Sequence, residues 1–329
     1  MRIARFTVGT TCYVLAAFAI FVVPAQPRAQ SYPTKPVRYI VPFPAGASPD
    51  IVARTITERL GRLWGQQVIV DNRAGAGGTV GAQFAAKAAA DGYTLFQCNI
   101  ASSAIAAGLY HKLGYDHARD FAPITRIGTT PNALVVHPSM PAKSLQAYVA
   151  YAKAHPGKLS YGSSAAGSSP HLSMELIKIM TKTNIVHVAY KGAPQAMSDV
   201  MAGQIESGMT NVPLIIAPIQ VGRLRGLAVT SAKRIGPLPD VPTMIESGLA
   251  GYEVYSWYGV CTNAGTPANV LEKLHKDVTA VLGSPEVQKT FGDLMIDIAP
   301  TSPEGFAEFM RKETARWSDV ARAAGVPKQ

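Results

Sequence analysis

The 329-residue sequence predicts an α/β protein, and three features of the chain support this. β-branched and aromatic runs of strand length alternate with segments whose apolar residues recur at helical spacing. Gly, Pro and Ser cluster where these segments meet. A hydrophobic content of 47% allows a substantial core, and the length favours two domains over one. Alternating strands and helices imply parallel sheets with right-handed crossovers.

The first 29 residues predict a cleaved signal peptide. A basic start, MRIAR, precedes the apolar run CYVLAAFAIFVV, and small residues follow at Ala25 and Ala29, the two alternative cleavage points. A membrane anchor is the competing interpretation, but Thr and Gly residues shorten the strongly apolar core to about a dozen residues. We therefore expect an exported, soluble protein located in the periplasm.

The charge and the cysteines restrict the function classes. The net charge is +10, and removal of the leader with Arg2, Arg5 and Arg28 leaves 28 basic against 21 acidic residues. The charges are scattered, so no nucleic-acid partner is indicated, whereas a basic protein favours anionic small molecules. Cys98 and Cys261 remain after cleavage, and the sequence does not decide whether they pair.

The first half of the chain predicts three strands and the helices that follow two of them. The strand VRYIVPF at 37–43 precedes a helix whose apolar positions are Ile51, Val52, Ile56 and Leu60. The same order recurs in the strand QQVIVDN, the loop RAGAGG and the helix TVGAQFAAKAAA. A DG turn then precedes the strand YTLFQCN.

The second half repeats this order. Strands are predicted in NALVVHP, KLSYG, IVHVAYKG, IESGMTN and LRGLAVT, and helices in SLQAYVAYAKAHPG, PHLSMELIKIM and QAMSDVMAGQ and near 213–221. The segment GPLPDVPTMIESGLAGYEVYSWYG has no clear periodicity. Helical patterns return at 267–282, 285–294 and 303–323.

Two of the strand-to-helix loops end alike. SPD at 48–50 and SPH at 169–171 each offer a Ser as N-cap and a Pro at the first helical position. The second loop, YGSSAAGSSPHL, is longer than a cap requires. Its small residues allow close backbone approach, and its hydroxyls and the free N–H groups of the helix can bind a carboxylate or phosphate. A tight turn without a ligand is the alternative.

Other interpretations have weaker motifs. AGAGGTVG at 74–81 departs from the spacing of the dinucleotide fingerprint, and the run 162–166 lacks the final Gly of G-x-S-x-G. The seven His show no H-E-x-x-H or paired-Cys spacing, so no metal or cofactor is expected, and His171 is interpreted as a helix-start residue. Trp257 and Tyr258 are predicted to pack against the sheet rather than line a cleft.

Eight segments spread along the mature chain carry a family resemblance. They are PFPAGASPDIVAR, DNRAGAGGTVGA, DGYTL, YGSSAAGSSPHL, HVAYKG, GRLRGLAVTSAKR, LPDVPTMIESG and SWYG. Their order and spacing resemble the Bug-type periplasmic solute receptors of tripartite tricarboxylate transporters over nearly the whole mature chain. No single segment decides this, but the set is specific.

The resemblance implies a type II periplasmic-binding-protein fold: two α/β lobes joined by two crossing segments, with a ligand cleft between them. Lobe one would comprise 31–131 with 257–329, and lobe two would comprise 132–256. Receptors of this family bind small-molecule carboxylates, often dicarboxylates or acidic amino acids, and serve membrane transporter subunits. The protein would therefore be a monomeric receptor and not an enzyme.

The family motifs also imply the ligand contacts. Lobe one would contribute residues of three loops: Phe43, Ala45, Gly46, Ala47, Ser48 and Asp50; Gly75, Ala76, Gly77 and Gly78; Asn99 and Ser102. Lobe two would contribute Ser163, Ser164, Ser168, Ser169, His171, Thr210 and Asn211. The two Ser-Pro helix starts would then face each other across the cleft, each offering its positive end to an anion.

Two departures from the family pattern bear on the ligand. The first loop reads Ala45-Gly46-Ala47 where relatives commonly have P-G-G, so the backbone approach there is expected to be less close. Thr210 stands where many relatives have an acid, which favours a plain carboxylic acid over a ligand bearing an amine. Which carboxylate binds stays open. Two other functions are compatible with the sequence: an exported esterase using a serine at 163–169, and a sensor without a cognate transporter.

Overall fold

The structure is a computed structural model that describes residue 1 and residues 32–323. The predicted leader therefore lies outside the described residues, except for Met1. All elements below belong to the unit that begins at Pro33. Among the described residues, no helix combines the length and apolar character needed to cross a membrane.

The described residues form ten strands: β1 (Val37–Val41), β2 (Val68–Asn72), β3 (Thr94–Asn99), β4 (Phe121–Val136), β5 (Ser160–Ser163), β6 (Val186–Ala189), β7 (Ser207–Asn211), β8 (Arg225–Val229), β9 (Tyr255–Asn263) and β10 (Asp297–Ile298). They also form eleven α-helices: α1 (Ser48–Trp64), α2 (Thr79–Ala86), α3 (Ala106–Leu109), α4 (His117–Asp120), α5 (Leu145–Ala154), α6 (Ser169–Thr181), α7 (Ala193–Met201), α8 (Ile216–Gln220), α9 (Ala268–Leu282), α10 (Pro285–Asp293) and α11 (Pro303–Ala323). A π-helical turn, Ala101–Ile105, follows β3.

The strands fall into two groups that share β4. In the first group, β1 pairs in parallel with β2 and β3, and the antiparallel strand β9 joins β3 to the start of β4. In the second group, β5 pairs in parallel with β6 and β7, and β7 and β8 run antiparallel to the end of β4. The strand order is β2-β1-β3-β9-β4-β7-β5-β6.

The expected parallel pairing is correct for β1–β3 and β5–β7 but wrong for β4, β8, β9 and β10, which pair antiparallel. The sequence predicts a strand only from Asn132 onward, whereas β4 starts at Phe121 and spans 16 residues. Its first part was not predicted because it contains Pro123 and Pro131, and proline is rare inside strands. Pro123 lies beside a register shift between Pro123 and Thr125, and an irregular point of this kind tolerates a residue without an N–H donor.

Apolar residues at helical spacing fix the helices on the sheet. In α1, Val52, Ile56 and Leu60 are fully buried, as their spacing predicts. The last helix, α11, packs on β9 through Phe306, whose ring meets the Trp257 ring edge-on at 5.8 Å. Trp257 therefore packs as predicted, and its Nε1 donates to Glu313 at 3.0 Å.

The start of α6 differs by one residue from the prediction. The N-cap is Ser168, whose Oγ accepts a hydrogen bond from the His171 N–H at 3.3 Å, and Ser169 is the first helical residue. In α1 the N-cap is Ala47, which has no capping side chain, and Ser48 is the first helical residue. The hydroxyls of Ser48 and Ser169 are therefore released from capping and bond elsewhere.

Cys98 and Cys261, whose pairing the sequence left open, form a disulfide between the neighbouring strands β3 and β9. Their Cα atoms are 6.0 Å apart, and both residues are fully buried. Together with His117 they make up the group of metal-ligating residue types that lie close together in the described part of the chain. Because the sulfurs are joined, the structure gives this group no thiolates to offer a metal.

Candidate functional site

A small cavity, called the first cavity below, lies at the carboxyl ends of the parallel strands, where open α/β sheets bind ligands. Phe43 follows β1, Asn99 ends β3, Ser164 follows β5 and Asn211 ends β7. The lining residues are Phe43, Ala47, Ser48, Pro49, Asn99, Ile100, Ala101, Ser164, Ser168, Ser169, Pro170, Ala193, Thr210, Asn211, Leu214, Ser256 and Tyr258. The two groups of strands thus contribute jointly to one wall.

Three helices begin at this wall. Ser48 opens α1, Ser169 opens α6 and Ala193 opens α7, and all three residues line the first cavity. The first N–H groups of a helix have no intrahelical partner and carry partial positive charge. None of the described residues that line the cavity is charged. Helix ends and hydroxyls, rather than a cation, are therefore the groups that this wall could offer to an anion.

A chain of hydrogen bonds connects the lining side chains. Asn211 Nδ2 donates to Ser256 Oγ and to Asn132 Oδ1, each at 2.6 Å, and Ser256 Oγ also bonds to Ser169 Oγ. Asn132 Nδ2 in turn donates to Ser173 Oγ at 2.9 Å. These residues belong to β4, β7, β9 and α6, so the network fixes the crossing strands against the start of α6.

Thr210 differs from its neighbours in the cavity. Its side chain is fully buried, and Thr210 Oγ1 has no hydrogen-bond partner among the described residues. Buried hydroxyls are normally paired, because an unpaired one loses its bonds to water without replacement. A hydroxyl in this state, on a residue that lines an uncharged cavity, is suited to donate to the polar group of a ligand.

The side of the cavity formed by α1, β9 and the end of β3 is held by neutral hydrogen bonds. Tyr258 OH donates to Ser48 Oγ at 2.9 Å, so Tyr258 lines the site, contrary to the prediction that it only packs. Burial raises the pKa of Tyr258 and keeps it a donor. Asn99 Oδ1 accepts from the backbone N–H groups of Ala101 and Ser102, which shapes the π-helical turn at the wall.

A second cavity adjoins the first and shares Phe43 and Ser164 with it. Its lining residues are Pro42, Phe43, Gly75, Ala76, Gly77, Gly78, Tyr110, Ser164, Ala165, Ala166, Tyr190 and Lys191. The volumes of the first and second cavities are about 20 and about 200 Å³. Since one water needs roughly 10–15 Å³, the first cavity has room for one small polar group.

Three glycines allow the loops to meet across these cavities. A Cβ at Gly77 would lie 2.9 Å from the Ala166 carbonyl oxygen, and one at Gly167 would lie 3.0 Å from Leu109 Cδ1. A Cβ at Gly192 would overlap the ring of Pro44. Each contact joins a loop or helix end beside the first strand group to a loop beside the second, so the two sides of the cleft are in contact in this structure.

Six of the predicted site residues line neither cavity: Ala45, Gly46, Asp50, Ser102, Ser163 and His171. Asp50 instead fixes the first loop, accepting from the Gly46 N–H, from Arg54 Nε and from Asn72 Nδ2, each at 2.9 Å. Burial alone would raise the pKa of Asp50, but these hydrogen bonds outweigh it and hold the pKa below its ordinary value. Asp50 is thus an ionised, paired support behind the site.

His171 supports the second loop from behind in the same way. Its Nδ1 accepts a hydrogen bond from the Gly167 N–H at 3.1 Å, and its ring stacks on His187 with centroids 4.1 Å apart. Burial, with a smaller contribution from Lys178, lowers the pKa of His171 to about 4. Burial and then His171 lower the pKa of His187 to about 3. Both rings are therefore neutral at pH 7.

Acidification should weaken the folded protein through His171. Between about pH 6.5 and pH 4 the unfolded chain binds a proton at this residue that the folded protein does not, so stability is complete above pH 6.5 and falls toward pH 4. The loss is on the order of 3 kcal/mol. Thermal unfolding from pH 8 to pH 4.5 should show a shallower decline for His171→Asn, whose amide oxygen can still accept from Gly167. Equal pH slopes for the two proteins would contradict this.

Sequence reasoning missed several lining residues. Ser256 and Tyr258 belong to SWYG, whose aromatic residues predict packing, while Lys191 lies within HVAYKG and Ala193 follows that segment directly. Both pairs enter the site through long-range pairing and loop contact, which short-range periodicity does not reveal. The order of the family-like segments along the chain was the only sequence signal that could have pointed to these residues.

Two groups of parallel strands, joined by antiparallel crossing strands and closed around a cavity ringed by helix N-termini, define a solute-binding protein of the periplasmic type. A family model described as "Tripartite tricarboxylate transporter family receptor" matches residues 52–326, and the chain belongs to this family. The resemblance and the fold class drawn from the sequence are confirmed. The family and the homologues are solute-binding receptors and not enzymes.

Three similar proteins illustrate the relationship. Protein BugT of Bordetella pertussis is 34% identical over 318 residues, covering 95% of this chain and 98% of its own. The structure of R. palustris Rpa4515 with adipate is 38% identical, with a TM-score of 0.87 and coverage of 89% of this chain and 98% of that one. MatC (Rpa3494) from Rhodopseudomonas palustris, with bound malate, is 29% identical, with a TM-score of 0.83 and coverage of 88% and 99%.

Proposed function

We propose that this protein is a periplasmic receptor that captures an organic carboxylate and delivers it to the membrane subunits of a tripartite tricarboxylate transporter. The observation that carries the proposal is the first cavity: three helices begin at its wall, none of its described lining residues is charged, and the hydroxyl of Thr210 is buried and unpaired. Helix N-termini and hydroxyls, with no protein carboxylate among the described lining residues to repel an anion, suit a single carboxylate.

Family membership and chemistry support the same ligand class and location. The similar proteins from R. palustris carry adipate and malate, both of which are carboxylates. A buried disulfide between Cys98 and Cys261 suits an oxidising compartment such as the periplasm, as does the predicted leader. We take the protein to act as a monomer.

The two predicted lobes are part of this proposal. The division of the strands into two groups sharing β4 supports lobe one at 31–131 with 257–329 and lobe two at 132–256. A ligand that contacts both lobes binds the closed state more tightly than the open state, and this difference in affinity favours closure. The close approach of the loops at Gly77 and Gly192 is the arrangement that we expect in the closed state.

One distance favours the esterase alternative, but the burial of the residues involved argues against it. Ser163 Oγ lies 2.8 Å from His187 Nε2, a separation suited to a nucleophile and its base. However, Ser163 is fully buried and its Oγ also donates to the Ala165 carbonyl. A histidine whose pKa burial lowers to about 3 is a poor general base at neutral pH.

Replacement of Ser168 and Ser169 by Ala together should weaken carboxylate binding by about one order of magnitude or more, since each charge-assisted hydrogen bond contributes roughly 1.5–3 kcal/mol. Both residues line the first cavity. Loss of the Ser168 cap should also cost about 1 kcal/mol of stability. Isothermal titration of the variant and the wild type measures the affinity.

Ser144→Ala is the matched control for this double variant. Ser144 caps α5, its Oγ accepting from the Ala147 N–H at 3.1 Å, and it lines neither cavity. It should lose a similar stability and keep its affinity. An unchanged affinity in the double variant would remove the second loop from the site.

Thermal unfolding against a ligand panel tests the proposed function. The mature protein, refolded from denaturant to strip carried-over ligand, is heated with mono-, di- and tricarboxylates, amino acids, sugars and amines. A ligand at about 100 times its Kd stabilises by about 2.7 kcal/mol, which is a visible shift. We expect shifts with one class of acid. Shifts only with a sugar or an amine would refute the carboxylate assignment.

A further inference from the structure

A group of metal-ligating side chains lies outside the first and second cavities. The sulfurs of Cys98 and Cys261 and a ring nitrogen of His117 all lie within 4.8 Å of one another, and none of these residues lines either cavity. A tetrahedral zinc ion with Zn–S bonds of about 2.3 Å holds two sulfurs about 3.8 Å apart. The three residues, called the Cys–His group below, therefore have the spacing of a zinc site once the sulfurs are no longer bonded to each other.

Three different elements hold the Cys–His group in place. Cys98 and Cys261 belong to the paired strands β3 and β9, and their Cα atoms are 6.0 Å apart. His117 begins α4, whose N-cap Asp116 accepts hydrogen bonds from two backbone N–H groups, and its ring packs on Phe121 with centroids 5.0 Å apart. None of these supports involves the S–S bond. We therefore expect the two thiols and the imidazole to stay adjacent after reduction.

The imidazole of His117 has a lone pair to offer. Its Nδ1 is buried without a hydrogen-bond partner among the described residues, and its Nε2 contacts Met310 Sδ at 3.1 Å. A thioether sulfur is a weak acceptor, whereas buried polar groups normally have a full partner. Burial lowers the pKa of His117 to about 4 and outweighs the opposing effect of Asp116 and Asp120. The ring is therefore neutral at pH 7, as a metal ligand must be.

A third cavity connects the Cys–His group to solvent. His117 lines it with Tyr115 and Asp116, and its volume is about 570 Å³. Zinc sites with three protein ligands complete their tetrahedron with a water molecule, for which this cavity has room. Charge favours the same ion, because two thiolates and a neutral imidazole around Zn²⁺ are neutral in sum. A monovalent ion would leave one net negative charge buried, which is costly.

We propose that the dithiol form of this protein binds one Zn²⁺ through Cys98, Cys261 and His117, and that formation of the disulfide closes this site. A dithiol reductant delivers two electrons and two protons to the S–S bond, which gives two thiols and leaves the reductant as a disulfide. Zinc binding then releases one proton from each thiol. The exported chain reaches an oxidising compartment with reduced cysteines, so zinc binding and disulfide formation compete for the same two sulfurs.

Metal titration of the reduced protein tests this. The mature protein is refolded from denaturant in excess dithiol, freed of dithiol without oxygen, and titrated with Zn²⁺ against a chromophoric chelator. We expect one Zn²⁺ per chain with a Kd of about 1 nM or below, and Co²⁺ in its place should show thiolate charge-transfer bands and a tetrahedral spectrum. The disulfide form should bind at least about 100-fold more weakly, because it has no thiolates. Equal binding by the two forms would overturn the site.

His117→Asn separates the proposed site from binding by two thiols alone. Loss of this ligand should weaken zinc binding by more than the roughly 10- to 100-fold that an outer-shell partner contributes. His111→Asn is the matched control, because His111 is an exposed histidine outside the Cys–His group. It should bind zinc as the wild type does. Equal zinc affinities for the two variants would contradict the proposal.

Two further readouts apply even where reduction unfolds the chain. One equivalent of Zn²⁺ should raise or restore the thermal transition of the reduced wild type, and should do so less for His117→Asn. Zinc should also slow reoxidation by oxidised glutathione about tenfold or more, since it occupies the thiolate lone pairs that attack the oxidant. A reduced chain that is neither stabilised by zinc nor protected by it from oxidation would refute the site.

Discussion

Thr210→Asp is expected to lose carboxylate binding by about two orders of magnitude. Thr210 is fully buried at the end of β7 and lines a cavity without a charged described residue. Two negative charges about 5 Å apart at an effective dielectric constant of about 20 repel by about 3 kcal/mol, which corresponds to roughly 200-fold in Kd. Isothermal titration at pH 8, where the new carboxyl is ionised, measures the loss.

Thr210→Asn is the matched control, because it has the shape of Asp without the charge. It should retain most of the affinity, and thermal unfolding should show both variants folded. The Asp variant should also shift its preference toward acids that carry an amine, since Asp then supplies the counter-charge. Equal acid affinities for the Asp and Asn variants would show that position 210 does not face the ligand's charge.

Gly192→Ala should weaken ligand binding by about one to two orders of magnitude without destabilising the ligand-free protein. The backbone of Gly192 is extended, with φ of −178°, so Ala fits locally. The added Cβ would overlap Pro44 only when the two loops are in contact. Overpacking of this kind costs about 1–3 kcal/mol, and here the cost falls on the closed state alone.

Gly236→Ala serves as the control for closure. Gly236 has no heavy atom within 4 Å of a built Cβ and is exposed, so the change should alter neither affinity nor stability. Small-angle scattering should also show that the ligand contracts the wild type and contracts Gly192→Ala less. A wild-type affinity for Gly192→Ala would indicate that ligand binding does not require the Gly192–Pro44 contact.

The order of strands and helices was largely predictable because each element has its own periodicity and boundary residues. The helix predicted at 303–323 coincides with α11, and the run at 285–294 differs from α10 by one residue. The crossing strands were not predictable in this way. β4 contains two prolines, and β9 begins inside a segment without periodicity. Their pairing joins residues that are far apart in sequence, from Phe121 with Asn263 to Pro131 with Tyr255.

The site residues likewise fall into those that local sequence predicts and those that only long-range contacts bring to the site. Residues within one loop, such as Ser168 and Ser169, were predictable because small hydroxyl residues directly before a helix indicate a cap or an anion-binding loop. Ser256 entered only through its bonds to Ser169 and Asn211, which the sequence places 87 and 45 residues away. Conversely, Asp50 and His171 have site-like chemistry, but their hydrogen bonds turn them toward the loops that they support.

The most direct test of the central claim is the crystal structure of the refolded protein with the acid that gives the largest thermal shift. We expect one carboxylate in the first cavity, with an oxygen within hydrogen-bond distance of Thr210 Oγ1 and of the N–H groups that open α1 or α6. The Gly192–Pro44 contact should be made in that complex. An acid bound outside both cavities, or bound with its carboxylate pointing away from Thr210, would show that the first cavity is not the carboxylate site.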